Sequence, residues 1–285
     1  LGREAYENLI EPLMSGIYAG DGDQLSLAST FPYLRDLEIK YGSLARGALE
    51  MRKQSNGKSV QGSRSAFLTP TTGLAEIVEK LVESLKSNGA DLRLNTHATR
   101  ILAPSQALPR ACRRVEGTKH ATRYLVELED GSSLDSDSVI LASPAYVSGT
   151  LLASFDPALA SVLKSIPYAS TATVSLAYRQ SDLTHQLDGY GYVIPRRAGR
   201  KALACTWTST KFPHRAPEGY ALIRVFVGRA GQDIPWNEND LLALAKEELN
   251  LTLNITAEPI LSRVFMWDKA MPQYNLGHPE LLKRI

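Results

Sequence analysis

The sequence predicts a mixed α/β protein, and three patterns carry that expectation. A long amphipathic helix, "TTGLAEIVEKLVESLKSNG", is followed by alternating and β-branched segments punctuated by Asp130-Gly131. From Ile166 onward, strand-like runs succeed one another across polar turns. Near the far end a second clear helix, "ENDLLALAKEELNLTL", precedes another strand-like stretch. No fixed-period repeat is visible, which disfavours a solenoid or propeller.

Taken in order, residues 1–53 read as helical. Leu1, Ala5, Leu9, Leu13 and Ile17 recur at four-residue steps, with Tyr6, Ile10 and Met14 widening the apolar face. That face suits either a lipid interface or a protein core, and core packing is the preferred reading. Pro12 must kink or restart the helix. "SGIYAGDGD" reads as a loop, and "LSLASTFPYLRDLEIKYGSLARGALEMRKQ" as a second helical part interrupted at Pro32 and Gly42. Residues 55–65, rich in Ser, Gly and Lys, read as a linker.

In the helix that follows, Thr71 or Thr72 is placed to cap the start. Leu74, Ile77, Val78, Leu81 and Leu85 form one stripe, and Gly89 suits the C-terminal cap. "ADLRLNTHATRILA" alternates like a strand, and Val139 to Ala142 resembles a buried one. "TATVSLAYR", "GYGYVIP", "ALACTWTS" and "ALIRVFVG" then supply four further strand-like runs.

Composition excludes several classes. At 285 residues, 44% apolar and 22% charged, the chain can bury a sizeable core, and no run approaches the roughly eighteen uncharged apolar residues of a spanning helix. A net charge of +2 does not point to nucleic acid, although Lys40 to Arg64 carries six basic residues against Glu50 alone. Cys112 and Cys205 fit no CxxC pattern, and with no signal peptide in view a reducing cytoplasm is the expected setting. The five histidines show no metal-ligand spacing, and neither a GxSxG elbow nor a P-loop is present. Arg196, Arg197, Arg200 and Lys201 read as a solvated charged turn, and "TWTSTKFPHRAP" as a packed loop. The chain begins at Leu1 without Met and stops at Ile285 inside a helical pattern, so it reads as a piece of a longer protein.

Four motifs in order, "NLIEPLMSGIYAGDGDQLSLASTFPYLRDLE", "FLTPTTGLAEIVEKL", "CTWTSTKFPHRAPEG" and "WDKAMPQYNLGH", closely resemble the FAD-dependent protoporphyrinogen oxidase family, including the coproporphyrinogen oxidases of Gram-positive bacteria. The likeness runs from Leu1 to Ile285. It implies a monoamine-oxidase-like flavoprotein, of which this chain is a central fragment lacking the first and last glycine-rich FAD segments. On that resemblance, residues 1–54 are the end of a helical, membrane-associating subdomain with the cavity loop. Residues 66–144 are part of the FAD domain, 145–264 a substrate domain on a mixed sheet, and 265–285 a return to the FAD domain.

The same resemblance implies site residues. Ala98 stands in "NTHATRI" where the family has a valine whose backbone faces the adenine of FAD. Trp267 matches an aromatic position beside the flavin, with Tyr274 near by or simply packed. Gly16 and Ile17, in "SGIYAGD", match the loop lining the tetrapyrrole cavity, where glycine lets the backbone approach a flat macrocycle. No acid-base residue is assigned. Arg179, Arg196, Arg197, Arg215 and Arg224 stay open as partners for substrate propionates. "SQALPRACRRVEGTKHATR" departs from the family as a basic surface insertion.

The implied reaction is six-electron oxidation of a porphyrinogen to the porphyrin in haem biosynthesis, with FAD as cofactor and oxygen as acceptor. The implied setting is the cytoplasm, peripheral to the inner face of the membrane. The substrate is protoporphyrinogen IX or coproporphyrinogen III, and without its FAD ends the fragment is expected to be inactive and to bind flavin weakly or not at all. Two alternatives remain: another flavin amine oxidase relative, such as an amine oxidase or carotenoid desaturase, or a non-catalytic tetrapyrrole-binding module.

Overall fold

The computed structural model describes residues 2–55, 68–102 and 124–285. The linker beyond Ser55 and the insertion at 105–123 lie outside the described residues. Two compact units emerge, one from Leu1–Lys80 and Tyr168–Leu276, the other from Leu81–Pro167 and Gly277–Ile285.

In the first unit, α1 (Arg3–Ala5) and a π-helical turn (Tyr6–Ile10) lead into α2 (Glu11–Tyr18), whose first turn holds Pro12. The backbone stays right-handed helical through Ile10 and Glu11, so the helix runs on, and the irregularity expected at Pro12 takes the form of the π-helical turn just before it. The expected core stripe is corrected: Leu9, Leu13 and Ile17 are exposed, while Glu11, Pro12, Met14 and Ser15 are buried. Four-residue steps locate an apolar side but not what covers it. Then α3 (Leu27–Thr30), α4 (Pro32–Tyr41) and α5 (Leu44–Ser55) break at Pro32 and Gly42, as the sequence predicts.

The division between units falls inside α6 (Ala75–Ser87). Gly89, at φ 80°, closes this helix with Ala90 N–H bonded to Leu85 O at 3.0 Å, the left-handed stop that glycine adopts without strain. The start lies later than the threonines: Thr72 Oγ1 reaches the Glu76 carboxylate instead of capping directly.

Five strands form the sheet of the first unit: β4 (Tyr168–Arg179), β5 (Gly191–Val193), β6 (Ala202–Trp207), β7 (Tyr220–Val227) and β8 (Leu261–Pro272), in the order β5-β6-β7-β4-β8. Every pairing described is antiparallel, which corrects the mixed sheet expected for this region. Alternation sorts the side chains. Ala172, Val174, Leu176 and Tyr178 of β4 and Ala221, Ile223, Val225 and Val227 of β7 form one sealed face. A short helix α9 (Thr208–Lys211) follows β6, and helix α10 (Glu238–Leu253) closes the sealed face with Leu241, Ala245, Leu249 and Leu253. Asn237 caps that helix by accepting from Asp240 N–H at 2.9 Å. Removing Leu249 down to Ala would cost about 2–5 kcal/mol.

The second unit holds an antiparallel meander, β1 (Ala98–Leu102), β2 (Tyr124–Leu128) and β3 (Ser133–Ser136), in that spatial order. Asp130 Oδ1 fixes the turn by accepting from Ser132 N–H at 2.9 Å and Ser132 Oγ at 2.6 Å. Helices α7 (Ala145–Leu151) and α8 (Pro157–Lys164) pack with Ile101, Leu151, Leu152 and Ala160 as the core. Asp156 caps α8 through Leu159 N–H at 2.9 Å.

Two strand expectations fail here. The segment from Ala90 becomes a strand only at Ala98, with Leu94 87% exposed. Val139 to Ala142 is not a strand, and Ile140 is 91% exposed. A short apolar run needs a ladder partner for its backbone groups, and among the described residues none is offered.

Candidate functional site

The loop leaving α2 is tied by backbone and side-chain bonds to segments distant in sequence. Ala19 turns it at φ 48°, and its carbonyl accepts from Ala230 N–H at 2.7 Å. Gly20 lies so close to Gln273 and Leu25 that a Cβ would sit 2.8 Å from Gln273 Oε1 and 2.9 Å from Leu25 Cδ1. A side chain there would push the ends of Gln273 and Leu25 out of place. Gln273 is buried and donates to the carbonyls of Tyr18 and Met271, both at 3.1 Å. Ser26 N–H bonds Tyr274 O and Leu276 N–H bonds Gln24 O, each at 2.8 Å. Tyr18 meets the edges of Phe31 and Tyr274 with centroids 5.8 and 5.7 Å apart. "SGIYAGD" and "MPQYN", far apart in sequence, are one piece of structure.

Charge reinforces this junction. The Glu11 carboxylate is buried, with Arg196 Nε at 3.7 Å and the Arg196 backbone N–H at 3.4 Å. Arg196 also donates to Ala230 O at 2.9 Å and lies 3.9 Å from Asp21. Arg229, buried, donates to the carbonyls of Ile194 and Ala202, both at 3.3 Å. Burial lowers its pKa, Glu11 opposes that, and Arg196 adds to it. Arg200 holds the buried Glu248 at 3.0 Å, whose pKa rises through burial against the pull of Arg200. The solvated turn expected at 196–201 is therefore corrected: two of its arginines are structural ties. Arg229 carries no sequence signal beyond its place in "VGRAG".

The sheet face away from α10 is different. Register places Val193, Ala204, Phe226, Thr173 and Phe265 in one row across the five strands. A bulge at Leu203 turns Leu203 and Ala204 toward Ala19, with Phe226 and Met271 packed beside them. Phe265 and Trp267 lie in near-parallel stacking at 6.4 Å and 27°, and Trp267 is 50% exposed. The neighbouring row holds Thr206, Arg224, Ser175 and Arg263. One face is thus an apolar core, and the other a partly open surface of aromatic, hydroxyl and guanidinium groups.

Of the residues singled out in sequence, Gly16 and Ile17 are exposed on α2, with the Gly16 Cα side facing Val193 of β5. Trp267 stands in the same unit on β8, four residues before the Met271 that packs against Ala19. Ala98 is exposed at the start of β1 in the second unit, paired with Leu128. Strand β1 is an edge strand among the described residues, so one side of its backbone has no strand partner there. Trp267 and Phe265 offer flat apolar surface, and an edge backbone offers donors and acceptors to a base.

Among solved structures the fold is that of flavoenzymes. A crystal structure from Exiguobacterium sp. 255-15, whose name gives protoporphyrinogen oxidase as a provisional assignment, aligns at TM-score 0.77 and 30% identity. The alignment covers 100% of this chain and 56% of that one. Reduced UDP-galactopyranose mutase aligns at TM-score 0.63 with 12% identity, covering 99% of this chain and 57% of that one, a likeness of fold alone.

The profile of the flavin containing amine oxidoreductase family matches residues 1–283, and the chain belongs to that family. Coproporphyrinogen III oxidase of Bacillus subtilis (strain 168) is 36% identical over 100% of this chain and 57% of its own length. The chloroplastic protoporphyrinogen oxidase of Nicotiana tabacum is 28% identical over 99% of this chain and 52% of its own. The chain spans about half the length of the curated relatives it matches. No helix among the described residues is long and apolar enough to cross a membrane.

Proposed function

We propose that this chain is the central part of an FAD-dependent porphyrinogen oxidase of haem biosynthesis, acting on coproporphyrinogen III. The observation that carries the proposal is similarity along the whole chain to a coproporphyrinogen III oxidase at 36% identity. A second reading, protoporphyrinogen IX as substrate, is favoured by the 28% identity to the tobacco chloroplastic enzyme. The overall change is one porphyrinogen and three molecules of oxygen giving one porphyrin and three of hydrogen peroxide. Six hydrogens and six electrons leave the macrocycle.

FAD, when bound, supplies the acceptor for electrons taken from the macrocycle. The chain's residues bind and orient. Ala98, on an edge strand, would offer backbone to the adenine end, and Trp267 would lie beside the flavin ring. Gly16 and Ile17 would line the tetrapyrrole cavity from α2, where a missing side chain admits a flat ring. The Gln273 and Arg196 ties would keep that loop rigid, so orientation is set before the substrate arrives. No side chain is assigned a proton-transfer role.

In this proposal residues 66–144 and 265–285 contribute to the FAD domain, 145–264 form the substrate domain, and 1–54 end a helical subdomain that rests on a membrane surface. The chain alone would hold FAD weakly and be inactive. Aerobic assay of the complete protein should show porphyrin fluorescence rising with peroxide released in the three-to-one ratio. Absence of porphyrin formation from both porphyrinogens, in protein loaded with FAD, would reject the reading.

A further inference from the structure

The five arginines left open in the sequence are separated by their surroundings. Arg196 is committed to Glu11, Asp21 and the Ala230 carbonyl, and Arg215 donates to Pro70 O at 3.0 Å and Thr69 Oγ1 at 3.2 Å. Arg197 sits on an exposed 3-10 turn away from any strand row. Arg179 ends β4, four residues and about 13 Å along the strand from Ser175. Arg224 remains: half-buried on β7, its Nε donates to Ser175 Oγ at 3.2 Å, and no carboxylate among the described residues pairs with it.

A second cation, absent from the sequence shortlist, joins it. Ser175 of β4 faces Arg224 of β7 on one side and Arg263 of β8 on the other. Arg224 and Arg263 are therefore two strands apart in one row, about 10 Å between Cα atoms, on the same face. Arg263 bonds only its neighbour's carbonyl, Ser262 O at 3.2 Å, among the contacts described. Thr206 extends the row on the far side of Arg224. Two residues along the strands, about 7 Å away, runs the row of Phe226, Thr173 and Phe265. A cationic row with no counter-charge among the described residues, beside an aromatic row, matches a flat apolar ring that carries carboxylates on its rim.

We infer that Arg224 and Arg263, with Ser175 between them, form the carboxylate-binding row of the open sheet face, which pairs with propionates on the rim of a tetrapyrrole. The inference rests on the porphyrinogen reading and adds to it the residues that read the substrate's charge. Nε of Arg224 is held by Ser175, which leaves its terminal N–H groups to pair with carboxylate. Each pairing is charge-assisted, so losing one should weaken substrate binding by between about ten- and a hundredfold.

The test uses the complete, FAD-loaded protein and the variants Arg224→Gln and Arg263→Gln, checked for wild-type flavin content and unfolding midpoint. Arg263 is exposed on β8, an edge strand among the described residues, so Arg263→Gln carries the test should Arg224→Gln fail to fold. With coproporphyrinogen III, KM should rise by about tenfold or more while kcat changes little. KM for protoporphyrinogen IX, which also carries propionates, should rise in the same variants. Equilibrium binding of coproporphyrin III should weaken in the same variants and with added salt, whereas its tetramethyl ester should bind wild type and variants alike. An unchanged KM, or equal losses for the acid and the ester, would overturn the inference while leaving the oxidase reading intact. Failure of the wild-type protein to oxidise either porphyrinogen would instead remove the reading on which it rests.

Discussion

The sealed face of the five-stranded sheet and the stripe of α6 are written in the same residues and end in opposite environments. Beneath α10, Leu176, Val174, Val225 and Leu249 are fully buried. Along α6, Leu74, Ile77, Val78, Leu81 and Leu85 remain 45% to 65% exposed. Apolar periodicity reports which side of an element seeks cover; it does not say that the cover lies among the same residues. The sheet carries its own lid in α10, which begins at Glu238, soon after β7 ends at Val227, and so it can form a core unaided. Nothing among the described residues plays that part for α6.

Several substitutions and one chemical probe sharpen the contrast. The largest effect should be on Cys205, buried in the sealed face with its thiol pushed up to about 12 chiefly by burial. In a Cys112→Ser background, its alkylation at neutral pH should be slower than in the unfolded chain by on the order of a thousandfold, as thiolate is the reactive form. Fast labelling would show the face to be open. The same shift fixes a sign. The native thiol stays neutral where the unfolded one ionises, so the stability it contributes is present below about pH 8.5 and lost as pH rises toward the folded value. Tyr178, also pushed up to about 12 by burial, acts in the same direction from about pH 10. Unfolding midpoints should therefore fall on the alkaline side.

Next in size, Leu249→Ala should cost about 2–5 kcal/mol in urea unfolding, and a loss under 1 kcal/mol would mean that α10 is not the lid described here. Asn237→Ala, which removes the cap of α10, should cost about 1 kcal/mol. Smallest of all, Leu81→Ala in this chain should change stability by no more than about 0.5 kcal/mol. A loss comparable to that of Leu249→Ala would erase the difference between the two regions.

Much of the fold was legible before any coordinates. The span of α10, the breaks at Pro32 and Gly42, the glycine stop after α6 and the Asp130-Gly131 turn are local, and local chemistry announces them. The failures share one cause. The run at Val139 to Ala142, the stripe of α2 and the charge cluster at 196–201 each depended on partners distant in sequence. The site divides in the same way. Gly16, Ile17, Trp267 and Ala98 are expectations from motif resemblance, and the first three fall in the first unit while Ala98 falls in the second. The pairing of Arg224 with Ser175, 49 residues away, and the shared row with Arg263 come from strand register, which no single stretch of sequence displays.

The central claim is that the open sheet face and the α2 loop serve porphyrinogen oxidation by a bound flavin. The most direct measurement is anaerobic mixing of the complete, FAD-loaded protein with coproporphyrinogen III while the flavin absorbance is followed. The account predicts bleaching of the oxidised flavin on substrate addition, with recovery when oxygen is admitted. Flavin that stays oxidised with both coproporphyrinogen III and protoporphyrinogen IX would contradict it.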